Sequence, residues 1–232
     1  MIMTELQPLY DKKCECMMCK TKFTTKKLRS RFVVVKSYDT DFAPTYENIE
    51  NDPNLYFVAV CPKCGFSFTD DFAPYFPPGS KETIDSKIAQ QWLPRSFGET
   101  RTYKEAANTI KLAAYCGTLK KEKHVSIAGL YMRLAWIYRS ILDSEQEQRF
   151  MKLAVDEYME AYITDDYRGT QMTELRLIYM IAELSRRTGQ IDQAVKYFSK
   201  VIEKQGSYNE AKIVEMARDR WQEIRENQKA KI

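Results

Sequence analysis

Beyond residue 100 the apolar residues recur every three or four positions, the spacing of one helical face. Ile127, Leu130, Leu134, Ile137, Tyr138 and Ile141 predict one amphipathic helix, and Phe150, Leu153, Ala154, Tyr158 and Ala161 the next. Leu175, Ile178, Tyr179 and Ala182 follow, then Ile191, Ala194, Val195, Phe198, Val201 and Ile202. A last stretch carries Ala211, Val214, Ala217, Trp221 and Ile224. Capping boxes at Thr102/Glu105, Ser144/Glu147 and Ser207/Glu210 mark helix starts, and Gly189 marks a stop. The first third reads differently. Arg31–Lys36 and Leu55–Val60 are β-branched and aromatic runs bounded by turn residues, which predicts strands. Thr69–Ser80, with three prolines and a glycine, reads as a linker. The expectation is an α+β chain, with a small β module at 1–78 and a larger all-α domain of helical hairpins at 79–232.

Composition narrows the chemistry. A chain of 232 residues can bury its own core. No apolar run approaches the roughly 20 residues that a membrane helix needs. The first residues lack the apolar stretch of a signal peptide, so the expectation is a cytoplasmic protein that does not engage a membrane. The eight glycines are scattered, the closest two being Gly117 and Gly129, so no phosphate-cradling loop exists. One histidine, His124, excludes a zinc protease of the HExxH type. Flanked by charged residues, His124 reads as a surface position.

The cysteines carry the strongest signal. Cys16-Met17-Met18-Cys19 and Cys61-Pro62-Lys63-Cys64 form two CxxC turns. Two residues between thiolates let one tight turn present both sulfurs to one ion, and two turns complete a tetrahedron. The expected cofactor is one structural Zn2+, with the chain between the turns folded as a zinc ribbon. Gly65 follows the second turn and tolerates a positive φ, which lets backbone N–H groups face the sulfurs. Lys20 stands in the equivalent place after the first turn and implies slight strain there. Cys14 reads as a spectator and Cys116 as a small buried hydrophobe. Ser37–Asn54 is an acidic and aromatic loop. Asp-Phe-Ala-Pro occurs in it at 41–44 and again at 71–74.

Charge offers a second line. The net charge is +4, with seven Lys/Arg against three Asp/Glu in residues 1–30 and six against ten in 31–100. Lys12, Lys13, Lys20, Lys22, Lys26, Lys27, Arg29 and Arg31 form a basic strip with Phe23 and Phe32 interleaved, a pattern that can hold phosphates and stack bases. Solvated cations over a small aromatic core fit the same residues.

The helices resemble tetratricopeptide units. Gly189, Ala194, Phe198 and Val201 are similar to the second helix of such a unit, and Ile178, Ile181 and Ala182 to the first. Leu134, Ala135, Tyr138, Ala154, Tyr158 and Ala161 resemble another; a plain helical bundle is the alternative. The resemblance implies a concave surface that binds a protein partner. Its groove residues would be Met132, Trp136 and Arg139 in one unit and Arg176, Tyr179, Glu183 and Arg186 in the next. Arg139 and Arg186, each four residues past Ala135 and Ala182, could clamp a carboxylate or phosphate.

Taken together, the first CxxC turn, Arg29–Phe42, Asp52-Pro53-Asn54-Leu55-Tyr56, the CPKCG turn and the helices resemble a bacterial family, domain of unknown function 2225. That resemblance implies a zinc site and a cytoplasmic bacterial setting, and no activity. The functional expectation is a non-enzymatic adaptor whose helical groove holds a protein partner. A nucleic-acid-binding protein using the strip from Lys12 to Arg31 is the alternative. Hydrolysis by carboxylates such as Asp39, Asp41, Asp70 and Asp71 is a third reading, supported by clustering alone.

Overall fold

The computed structural model describes residues 6–204 and 210–229. The chain is α+β: six short strands precede a mostly helical remainder with seven α-helices among the described residues. Contacts divide it into two compact units, Met1–Asp39 with Pro44–Glu122, and Thr40–Ala43 with Lys123–Ile232. This division falls at 122/123, beyond the sequence boundary at 78/79.

In the first unit, β1 (Leu9–Glu15) and β2 (Lys22–Leu28) pair antiparallel from Leu9 opposite Leu28 to Glu15 opposite Lys22. β3 (Val35–Tyr38) pairs with β4 (Pro44–Tyr46), and β5 (Ala59–Val60) with β6 (Ser67–Phe68). The two expected strands are therefore largely replaced. Ser30–Phe32 is a 3-10 turn ahead of β3, and Pro53–Tyr56 is another. Pro53 supplies a helical φ at the first position, and the Asp52 carboxylate accepts the Asn54 N–H at 2.8 Å. That local cap overrides the strand propensity of Leu55 and Tyr56, both of which it buries.

The expected linker also packs. Phe72 is buried, and Phe76 lies 5.6 Å from Phe66 between ring centroids. Helices α1 (Ser80–Lys87) and α2 (Tyr103–Lys120) complete this unit. The Thr102/Glu105 capping box starts α2 as the sequence implies. Ala106, Ile110, Ala113 and Cys116 bury one face of α2 against β5, β6 and the 53–56 turn. Arg101 is buried with them. It donates to the carbonyls of Phe97, Leu55 and Val58 and to Thr25 Oγ1 at 2.8–3.2 Å, and desolvation pulls its pKa down to about 10.

The second unit holds α3 (His124–Ser140), α4 (Ser144–Thr164), α5 (Glu174–Arg187), α6 (Ile191–Glu203) and α7 (Ala211–Lys229). Each packs on the next, and α5 also touches α7. Ala135, Ala154, Ala182, Ala194 and Ala217 are all fully buried, small residues that let helix axes approach. The helix starting near Ser144 is capped one residue earlier than expected, by Asp143, whose carboxylate accepts the Gln146 N–H. Gly189, at φ 81°, ends α5 while the Gln190 N–H returns to the Ser185 carbonyl at 2.8 Å. The Ser207 end of the third expected capping box lies outside the described residues. No helix among the described residues is long and apolar enough to cross a membrane.

Candidate metal centre and an occupied helical face

The two CxxC turns fold alike because each closes a hairpin. Between β1 and β2, the Cys16 N–H donates to the Thr21 carbonyl and the Lys20 N–H to the Cys16 carbonyl, both at 2.9 Å. Between β5 and β6, the Cys61 N–H donates to Phe66 at 3.0 Å and the Gly65 N–H to Cys61 at 2.9 Å. Lys20 has φ 60° and Gly65 φ 72°, so the lysine adopts the left-handed conformation that the second turn gives to glycine. Trp92 covers the second turn. Its indole N–H donates to the Pro62 carbonyl at 3.0 Å, and its ring lies where a Cβ on Gly65 would fall, 2.4 Å away.

These turns bring Cys16, Cys19, Cys61 and Cys64 together, with all four sulfurs within 4.8 Å of one another. Cys16 Sγ and Cys64 Sγ are 3.6 Å apart, as are Cys19 Sγ and Cys61 Sγ. Tetrahedral zinc at about 2.3 Å from each sulfur has S···S edges of about 3.8 Å, so the spacing fits such an ion. The contact with Cys64 pushes the Cys16 thiol down to about 5, against burial and with help from the Cys19 and Met18 N–H groups. Burial pushes Cys61 up to about 11, while the Cys64 and Lys63 N–H groups oppose it. Cys64 is raised, first by its bond to Cys16 and then by burial. Four sulfurs at this spacing suit a cation that balances several thiolates. The four can hold a metal ion.

Cys14 and Cys116 stand apart from this set. Cys14 sits on β1 opposite Phe23, and burial raises its pKa. Cys116 is fully buried, accepts the Ser67 N–H and is pushed up to about 12 by desolvation, an inert thiol. The basic strip is partly neutralised: Lys12 and Lys27 both pair with Asp70, and Lys26 pairs with Asp11. Phe23 packs edge-on against Phe68. His124 opens α3 and bonds Glu157 at 2.7 Å through Nδ1.

The expected groove residues gather in the second unit around a segment that the sequence reading left aside. Asp41 is fully buried on the helices. Arg139 donates to it bidentately, at 3.1 Å to Oδ1 and 2.6 Å to Oδ2, and Trp136 Nε1 donates to Oδ2 at 3.3 Å. Thr40 is held three ways: its hydroxyl donates to Glu183, Arg187 Nη2 donates to that hydroxyl at 2.7 Å, and Tyr179 Oη donates to its carbonyl at 2.7 Å. Phe42, at φ 62°, lies 5.6 Å from the Tyr179 ring, with the Arg176 guanidinium 4.8 Å above it. Burial opposes the charge on Arg139, but bonds from Asp41 and Glu147 outweigh it and raise its pKa. Met132 departs from the expectation, being buried in the helical core.

The carboxylate clamp differs in one member. Arg139 grips a carboxylate as expected, but Arg186 turns to Glu183 at 2.8 Å. Its neighbour Arg187 instead approaches Asp41 Oδ1, at 4.0 Å. Sequence reasoning missed Thr40, Asp41, Phe42, Glu147 and Arg187 as members of this site. The signal available was the Tyr-Asp-Thr-Asp-Phe run at 38–42, the most distinctive part of the loop.

Fold and site together define a mostly helical α+β protein with a four-cysteine cluster on paired hairpin turns that could hold a metal ion. The chain belongs to the bacterial family described as "Uncharacterized protein conserved in bacteria (DUF2225)", whose family model matches residues 9–224. No curated protein and no solved structure matches it.

Proposed function

We propose that this chain is a zinc-stabilised cytoplasmic adaptor, without catalytic activity, whose tetratricopeptide-like helical unit holds a protein partner. The observation that carries the adaptor reading is the peptide segment Thr40–Ala43 seated on the faces of α3 and α5 through side-chain bonds to its carboxylate, hydroxyl and backbone. A helical surface that already grips three successive residues of a chain turn has the donors and acceptors that peptide recognition needs. Successive helix packing, with contact between alternate helices α5 and α7, supports the repeat reading. The zinc is structural, because four thiolates leave no open position for water or substrate. Thiol ligands also suit a reducing compartment. Two of the acids considered for hydrolysis are bound to cations, Asp41 to Arg139 and Asp70 to Lys12 and Lys27, which supports the non-enzymatic reading.

Two measurements test the proposal. Protein purified under reducing conditions carries about one equivalent of zinc, and less than about half an equivalent refutes the metal assignment. A tagged pull-down from native bacterial extract, with and without nuclease, retains a stoichiometric protein. Loss of all partners on nuclease treatment transfers the function to the basic strip and refutes the adaptor.

A further inference from the structure

We infer that the face of α3 and α5 is an exchangeable peptide site, that Thr40–Ala43 is its resident occupant, and that its external ligand is a partner segment carrying a hydroxyl residue, an aspartate and an aromatic residue in succession. This inference rests on the adaptor reading and names the class of partner.

Specificity follows from three adjacent pockets. Arg139 and Trp136 present donors to a carboxylate. Glu183 accepts from a hydroxyl while Arg187 donates to it, so the pair selects a group that does both. Arg176 and Tyr179 sandwich an aromatic ring.

Exchange is favoured because the site's cations keep partners when the segment leaves. Arg139 Nε remains on Glu147 at 2.7 Å, and Arg186 and Arg187 remain on Glu183 at 2.8 Å. Departure therefore orphans no buried guanidinium, and Asp41 regains water. The resident is also strained, since Phe42 holds a left-handed φ of 62° without being glycine. A partner segment that presents the same groups without this turn binds the same pockets at lower conformational cost. The resident competes as an intramolecular ligand, so it sets a threshold that an external segment must exceed.

The probe is a labelled octapeptide with the chain's own sequence from Tyr38 to Thr45, followed by fluorescence anisotropy. Against the full wild-type chain it binds weakly. Against the full chain with D41A and F42A, which disable the resident, it binds at least tenfold more tightly, and adding R139M reverses the gain. Equal affinity for wild type and D41A/F42A, with native circular dichroism in both, overturns the inference. Should the double variant misfold, amide hydrogen exchange on the wild type decides. Exchange of Phe42 and Ala43 well below the global unfolding free energy supports an exchangeable resident, and exchange only through global unfolding overturns it. A dimer of wild-type chains that R139M abolishes means that a second copy is the occupant and overturns the external ligand. The pull-down separates the two readings. A partner retained equally by D41A/F42A/R139M leaves the adaptor standing on another surface and refutes this site. Absence of any protein partner, with peptide affinity intact, refutes the adaptor.

Discussion

The pairing of Lys20 with Gly65 permits a test in which two substitutions at equivalent positions act in opposite directions. Gly65→Ala places a Cβ 2.4 Å from the Trp92 ring, and the residue must hold φ 72°. The left-handed conformation costs a non-glycine residue about 1–2 kcal/mol. Displacing Trp92 breaks its bond to the Pro62 carbonyl, about 1 kcal/mol, and uncovers apolar surface worth about 1 kcal/mol more. The expected loss is about 3–4 kcal/mol. Lys20→Gly relieves the same strain at φ 60°, offset by the entropy glycine loses on folding, for a net gain of about 0.5 kcal/mol. Urea denaturation at fixed free zinc measures both, since metal binding otherwise shifts stability by mass action. Repeating Gly65→Ala in a Trp92→Ala background isolates the steric part, because only the backbone strain of about 1–2 kcal/mol should then remain. An equal cost in both backgrounds would refute the contact, and a destabilising Lys20→Gly would refute the strain.

Cys16→Ser should lower bound zinc below half an equivalent by elemental analysis, whereas Cys14→Ser and Cys116→Ser should leave it unchanged, since neither thiol belongs to the cluster. Chelation of the wild type should accelerate amide exchange in β1 and β2 while α3–α7 keep their protection; uniform loss across the chain would count against a local role for the metal. Arg139→Ala should destabilise the helical unit by roughly 3 kcal/mol, because it strips the bidentate donor from a fully buried carboxylate. Asp41→Ala should cost less, about 1–2 kcal/mol, because Arg139 keeps Glu147. The reverse order in thermal or chemical denaturation contradicts the geometry. Arg101→Met should cost about 3 kcal/mol or more by urea denaturation, since two buried carbonyls, a half-buried one and a buried hydroxyl lose their donor, and a neutral result would show that water replaces it.

What could be read from the sequence was what is local. A CxxC turn needs only six residues to define itself, so both halves of the metal centre were visible, including the strained Lys20. The helices of the second unit were visible because a buried face repeats every turn and the breaks carry Gly189 and the caps. The main hairpin was hidden for the opposite reason. In β1 and β2 lysine and threonine dominate, one face is solvated, and no apolar alternation announces the strands. Leu55–Val60 carried the apolar signal instead, but Asp52 and Pro53 spend its first residues in a 3-10 turn. The clamp shows how fine the remaining uncertainty is. Adjacent helical residues point about 100° apart, so choosing Arg186 over Arg187 by analogy with Arg139 picked a guanidinium that pairs with Glu183 in place of the one that also reaches Thr40 and approaches Asp41.

Contacts between distant residues left no periodic trace, yet they complete both sites. Among the described residues every sheet in the first unit has two strands, and an isolated hairpin is marginal in water. Each therefore needs a tie from outside its own sequence. For β1–β2 and β5–β6 the tie is the shared cysteine cluster, whose two turns bring together sulfurs from residues 42 to 48 positions apart, close enough to hold one metal ion. The loop between β3 and β4 has no such cluster. Its Thr40 and Asp41 are held by side chains of α3 and α5 from about 95 to 147 positions along the chain. A metal tie and a cation tie differ in reversibility. A metal ion held by all four sulfurs would leave them crowded together on release, so that tie would favour permanence. Arg139, Arg186 and Arg187 keep carboxylate partners whether or not Thr40–Ala43 is present, so that tie can open and close without leaving a buried charge exposed to a dry interior. On the proposed reading, the same fold fixes one hairpin pair and leaves one loop free to trade places with a ligand of its own chemistry.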